Sequence, residues 1–287
     1  MPLNVQKVKW GHLVQADATL RGGRAGATGG TRDCVADEVF AAWVLGPAAH
    51  VPKRSTRKGL QAVLFDLDGV LVDTAEFHYR AWKRLAEELG VPFDRQMNHG
   101  FRGVGRMECL EKLLRDHAHC FVVEEMQMLA ERKNAYYLEQ VKTLVPGDLE
   151  AGARGLAMGL RALPGGGARL ALVSASKNAR LVLKLLRIED WFDAIIDGND
   201  ATRGKPHPQC FLLAAERLRV RPEASVVVED ADAGLQAARA AGMAGVGVGG
   251  GVGACEVHVN AIGELTIEQL EAIVREKQAG VRAGARS

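Results

Sequence analysis

The chain has 287 residues, 47% of them hydrophobic, which is enough to bury one sizeable core and a smaller second module. Its net charge of +2 is uneven: residues 1–58 carry nine Lys/Arg against four Asp/Glu, so the rest sums to −3, and the globular part is not a nucleic-acid binder by charge. Five scattered cysteines, Cys34, Cys109, Cys120, Cys210 and Cys255, make no disulfide framework and suit a reducing compartment, and no apolar run approaches the ~18 residues of a membrane span.

Residues 1–58 are rich in Gly, Ala and Arg and offer little that packs, so a disordered extension is expected. Their basic character raises organelle targeting, but Asp17, Asp33, Asp37 and Glu38 and the scarcity of Ser argue against a standard transit peptide, which leaves a cytoplasmic expectation.

From residue 59 onward, short apolar runs alternate with amphipathic stretches, the pattern of a parallel sheet covered by helices on both faces. The strands are expected at Ala62–Phe65, Leu170–Val173, Ala194–Ile196, Val226–Val228 and Ala244–Val248. Three of them end in polar groups: Asp66 with Asp68, then Ser174, then Glu229 with Asp230. Ligands of open α/β sheets bind beyond the carboxyl ends of strands, so these groups are expected to share one site. Residues two apart on an extended chain point to the same side, and Gly69 lets the backbone turn beneath Asp66 and Asp68. Such a carboxylate pair suits magnesium and phosphate chemistry.

Between the first two strands lie roughly 75 residues that read as helical, too long for a simple crossover, so a separate cap is expected. The division is 59–73 and 149–275 for the core, 74–148 for the cap and 276–287 for a solvated tail. The first cap helix runs from Thr74 as N-cap to a stop at Gly90, with His78, Trp82, Leu85 and Leu89 along one face. Residue type alone makes His78 a packed histidine. Arg102-Gly103-Val104-Gly105-Arg106 is a glycine-punctuated loop whose two guanidinium groups suit a phosphate, or equally a solvated basic turn. Pro206 pushes Lys205 into an extended conformation that helps aim its side chain outward from the loop. Gly245–Gly250 fits Gly-x-Gly-x-x-Gly but is read as a glycine-rich strand and turn, and His117–Cys120 as a solvated helix end rather than a zinc site.

The run Phe65-Asp66-Leu67-Asp68-Gly69-Val70-Leu71-Val72-Asp73-Thr74 resembles the first motif of the haloacid dehalogenase-like phosphotransferases, Asp-x-Asp-Gly-x-x-x-Asp-Thr. With Thr74–Lys83, Arg102–Arg106, Ser174–Asn178, Gly204-Lys205-Pro206 and Glu229-Asp230, the chain from Ala62 to its C-terminal region is most similar to the beta-phosphoglucomutase branch. The resemblance implies a Rossmann-like core with an inserted helical cap. It implies Asp66 as the nucleophile and Asp68 as general acid and base, with Ser174 and Lys205 on the reacting phosphate and Arg106 on the other. His78 would couple cap closure to substrate. The branch's substrate contacts fall on Trp82, Arg102, Gly103, Val104, Lys133, Ala175, Ser176, Lys177 and Asn178, and the family commonly has Lys where Arg102 stands.

One Mg²⁺ would be held by Asp66, the carbonyl of Asp68, and Glu229 or Asp230, with glucose 1,6-bisphosphate as primer. The implied reaction interconverts beta-glucose 1-phosphate and glucose 6-phosphate. A Mg²⁺-dependent sugar-phosphate phosphatase is the alternative, because water in place of a sugar hydroxyl would use the same core. A third reading is a non-catalytic sugar-phosphate sensor, against which the intact Asp66 and Asp68 argue. A monomer is the default, hinged near Thr74 and the 145–150 segment, with a small phosphorylated sugar as its partner and neither nucleic acid nor membrane.

Overall fold

The apolar run Ala62–Phe65 forms β1, the buried middle strand of a parallel sheet. The computed structural model describes residues 59–284 except 251, so the expectation for residues 1–58 lies outside the described residues. The other strands are β2 (Arg169–Val173), β3 (Ala194–Ile196), β4 (Ser225–Glu229), β5 (Ala244–Val248) and β6 (Val257–Val259), in the order β3-β2-β1-β4-β5-β6.

Alternation along each strand divides the interior into two layers. Val63, Phe65, Leu170, Leu172, Val226 and Val228 pack on one face against helices Ala153–Arg161, Ala179–Leu186 and Ile267–Gly284. Ala62, Leu64, Ala171, Val173 and Val227 pack on the other, against Gln209–Leu218 and Asp232–Ala240. Burial on both faces is why these strands read as nearly continuous apolar runs.

Between β1 and β2 the chain forms α1 (Ala75–Leu89), α2 (Arg95–His99), α3 (Arg106–Leu114) and α4 (Val123–Val141). These helices enclose a core of their own, built from Trp82, Leu85, Phe93, Phe101, Leu110 and Leu113. Gly90 stops α1 at φ 69°, where its N–H reaches the carbonyls of Ala86 and Glu87. Thr74 occupies the N-cap position but makes no side-chain cap bond. The two connections to the core run side by side: Val72 and Leu149 form an antiparallel bridge, and Glu150 N–H donates to Leu71 O at 2.9 Å.

Several boundaries differ from expectation, and β2 begins one residue early, at Arg169. β4 is one residue longer at each end, so Glu229 belongs to the strand itself. β6 was not anticipated; its three residues pair with β5 at the sheet edge and carry too short a pattern to read. The last helix continues to Gly284, past the residue 275 at which the core was expected to end. The glycine-rich run behaves as read, with β5 through Val248 followed by Gly249 at φ 78°. The four described cysteines, Cys109, Cys120, Cys210 and Cys255, are free.

Candidate active site

Asp66 is positioned by the sheet itself, because its N–H donates to Val228 O at 2.9 Å, extending the β1–β4 pairing by one residue. Gly69 then turns at φ 81°, and a Cβ there would lie 2.3 Å from Asp230 Oδ2, so only glycine lets the turn pass against that carboxylate. Asp66, Glu229 and Asp230 each present a carboxylate oxygen within 4.8 Å of the others. Three hard oxygen donors at the end of a sheet fit a Mg²⁺-type cation.

Lys205 reaches from its loop into this cluster. Its Nζ donates to Asp66 Oδ1 at 2.6 Å, to Val173 O at 3.3 Å and to Glu229 Oε1, and the residue is 2% exposed. The side chain thus leaves its own loop and ends among carboxylates, the partners a buried ammonium needs. Burial works against its charge, but Asp66 and Glu229 outweigh that and hold the ammonium above its ordinary range. Glu229 is fully buried, with its carboxylate against Gly234 and its second oxygen accepting from Ala231 N–H at 3.3 Å. Burial, then Asp66, pushes its carboxyl up to about 8. Asp230 is pushed up to about 7 by burial and by Asp66, against the pull of Arg102.

Asp68 accepts from the Thr74 hydroxyl, so Thr74 holds this carboxylate rather than capping α1. Burial and the nearby Asp66 raise Asp68 to about 6, which suits a group that must both give and take a proton near neutral pH. His78 Nε2 lies 3.7 Å from Asp68 Oδ1, and its Nδ1 is 2.8 Å from Lys133 Nζ. Its ring stacks on Tyr137 at 4.1 Å between centroids. Burial, with Lys133 and Arg106 adding to it, holds His78 well below its ordinary value, so the ring is neutral and accepts from Lys133. Lys133 is itself buried, lies 4.8 Å from the Trp82 ring centroid and is lowered to about 7, mainly by burial.

These groups open into a cleft beneath the cap. Asp66, Asp68 and Asp230 face His78, Trp82, Lys133 and the loop Arg102, Gly103, Val104 and Arg106, while Ala175, Ser176 and Asn178 line the core side. Ser174, Lys177 and Lys205 instead line an adjoining cleft, which also reaches Arg106. Ser174 is turned inward: its Oγ accepts from Ser176 N–H at 3.0 Å, folding the loop after β2 back on itself. Arg102 Nη1 lies 3.6 Å from Asp230 Oδ2, so the cap loop reaches directly to the carboxylate cluster.

Sequence reasoning missed Asn98, Phe101, Cys109 and Asn134 in the cleft and Tyr137 beneath His78. Tyr137 falls four residues after Lys133 on α4, a spacing that could have found it. Asn98, on the short α2, and Phe101, just after it, carry no such signal.

The model of the haloacid dehalogenase-like hydrolases matches residues 60–242. The chain is 42% identical over 216 residues to a Bacillus subtilis beta-phosphoglucomutase, covering 74% of this chain and 94% of that protein. It is also 33% identical over 187 residues to a phosphorylated carbohydrates phosphatase of Thermotoga maritima, covering 64% of this chain and 82% of the relative. A crystal structure of beta-phosphoglucomutase from Clostridium difficile superimposes with a TM-score of 0.71 at 35% identity, covering 77% of this chain and 99% of that one.

Proposed function

The chain belongs to the haloacid dehalogenase-like hydrolases, and on that premise we propose that it is a beta-phosphoglucomutase, converting beta-glucose 1-phosphate to glucose 6-phosphate through an aspartyl phosphate. What carries this reading is one arrangement: the Asp66–Asp68 pair faces three cap cations, Arg102, Arg106 and Lys133, across a single cleft. A relay through a bisphosphate needs one phosphate at the nucleophile and a second held away from it.

In this scheme the phosphorylated Asp66 gives its phosphoryl group to the C6 hydroxyl of beta-glucose 1-phosphate. The hydroxyl proton passes to Asp68 as the new P–O bond forms and the acyl phosphate bond breaks. The bisphosphate turns over in the cleft. An Asp66 oxygen then attacks the C1 phosphorus, the bond from phosphorus to the C1 oxygen breaks, and Asp68 returns its proton to that oxygen. Arg106 holds whichever phosphate is idle, because a guanidinium fork matches phosphate oxygens. Lys205 holds Asp66 in place through their 2.6 Å hydrogen bond, and glucose 1,6-bisphosphate supplies the first phosphoryl group.

Asp66, Asp230 and the carbonyl of Asp68 are the ligands we assign to Mg²⁺; both Glu229 oxygens are already engaged by Lys205 and Ala231. Bound there, Mg²⁺ supplies charge neutralisation for phosphoryl transfer. Trp82, Gly103, Val104, Ala175, Ser176 and Asn178 shape the sugar pocket, and Lys177 contributes from the adjoining cleft.

A sugar-phosphate phosphatase is the second reading, favoured by the relative of that activity and by the fact that every core group would serve water equally well. The test is an assay with Mg²⁺, beta-glucose 1-phosphate and trace glucose 1,6-bisphosphate, following glucose 6-phosphate and free phosphate together. Glucose 6-phosphate forming far faster is the expected result. Free phosphate dominating would replace the mutase with the phosphatase.

A further inference from the structure

We propose that Arg102 is a metal-responsive latch: its guanidinium draws the cap onto Asp230 while that carboxylate has no metal, and a divalent cation at Asp230 displaces it. The inference rests on the metal assignment above and goes beyond it by tying metal occupancy to cap position through one residue.

The first observation is the unequal neutralisation of the carboxylate cluster. Lys205 is fixed between Asp66 and Glu229, fully enclosed, with Asp66, Val173 and Glu229 as its acceptors. It has no reach to spare for Asp230. The cation beside Asp230 comes from the cap: Arg102 Nη1 at 3.6 Å from Oδ2. Asp230 is buried, so leaving it with neither metal nor guanidinium would cost more than leaving an exposed carboxylate unpaired.

The second observation ties that ion pair to the position of the cap. Gly103 has φ 69°, and a Cβ built on it would stand 3.3 Å from the Cβ of Ala231. The backbone after Arg102 therefore runs against the residue after Asp230, and the guanidinium reaches the carboxylate from that seat. Swinging the cap away carries Arg102 with it.

The third observation is that the Arg102 fork is only partly used. Its Nε is buried and has no hydrogen-bond partner. A guanidinium held by one nitrogen at 3.6 Å, with a second buried donor idle, is a weak and exchangeable contact. A divalent cation sharing Asp230 would repel it at close range. Once displaced, the same fork has donors for a phosphate oxygen, so substrate would bring back a cap that metal had loosened. Coupling is reciprocal: if metal weakens closure, closure weakens metal binding.

The experiment is Mg²⁺ titration of the full chain by calorimetry without substrate, for the parent and for Arg102→Met, Arg102→Lys and Asp230→Asn, with solution scattering of each protein with and without Mg²⁺. Removing the guanidinium is expected to tighten Mg²⁺ binding about two- to fivefold, the scale of a partly exposed ion pair. Arg102→Lys should return the affinity toward the parent's. The parent should expand on adding Mg²⁺, whereas Arg102→Met should already be expanded without it. Unchanged or weaker Mg²⁺ binding by Arg102→Met overturns the latch, as does scattering that ignores the substitution. Asp230→Asn binding Mg²⁺ as tightly as the parent overturns instead the metal assignment on which the latch rests.

Discussion

Asn178 donates through Nδ2 to Asn134 Oδ1 at 2.7 Å, and this hydrogen bond joins the loop after β2 to the cap helix α4. One partner belongs to the cap helix and the other to the core. Both residues line the cleft, so the bond ties cap to core across it.

Replacing Asn134 with Ala should therefore loosen closure rather than unfold the protein. A net hydrogen bond of about 1 kcal/mol corresponds to a change of roughly fivefold. The expected sign is a rise of that order in KM together with more free phosphate per glucose 6-phosphate, because a looser cap admits water. Parallel product assays of the two proteins read this directly, and an unaltered product ratio would count against a sealing role for the bond.

Asp68 titrates at about 6, and in the proposed transfer to C6 it must be ionised to accept a proton. The rate of that half-reaction should fall below about pH 6, and Asp68→Asn should remove both this limb and most of the turnover. Lys133 helps keep Asp68 ionised, so Lys133→Met should move the limb to higher pH. A limb that stays in place would mean that Lys133 serves the substrate alone.

Gly69→Ala puts a methyl group onto Asp230 at a backbone angle that side chains rarely adopt. Metal affinity should drop more than tenfold while the cap core, built from other residues, keeps its packing. Calorimetry with Mg²⁺ and near-ultraviolet circular dichroism separate the two effects. Full metal affinity in this variant would mean that the turn is not what seats Asp230.

The stability of the metal-free protein should fall as pH rises through neutrality. Asp68, Asp230 and Glu229 bind protons more tightly when folded than their ordinary values of 3.8, 3.8 and 4.5 allow, at about 6, 7 and 8. The folded state then holds more protons than the unfolded chain from about pH 4 to 8, and that advantage is lost as each carboxyl ionises. His78 opposes the trend below its ordinary 6.5, and Lys133 opposes it above about 7, since both are held neutral by the fold more readily than in the open chain. The melting temperature in chelator should accordingly decline between pH 6.5 and 7, where the carboxylates act with least opposition. Mg²⁺ should raise it, and by more at pH 7 than at pH 5. A flat profile with no response to Mg²⁺ would show that the cluster is not strained by its own charge.

The core was legible where local pattern and global role coincide. β1, β3 and β5 read to the residue, because strands buried on both faces write their burial as unbroken apolar runs, and Gly90 ended α1 as a left-handed stop should. For Lys205 only part was legible: the sequence around Pro206 describes the local backbone, while the end point of the side chain is set by Asp66 and Glu229, both distant along the chain. Thr74 was identified by position and mistaken in partner, since a threonine ahead of a helix serves a cap or a neighbouring carboxylate equally well, and only the turn at Gly69 brings Asp68 within its reach. β6 and Asn134 left no readable trace: the one is too short for periodicity, and the other matters only because the loop after β2 lies opposite it.

The pairing of β1 on both its edges carries a consequence for how the protein comes into being. Asp66 lies near the start of the described chain, yet its backbone is tied to Val228, on the opposite side of the cap, β2 and β3 in sequence. A nascent chain therefore displays Asp66 early and can seat it only after β4 has left the ribosome, by which time the cap has long been available to pack around its own interior. Synthesis from one end thus delivers the whole of the cover before the strand that seats Asp66 beneath it.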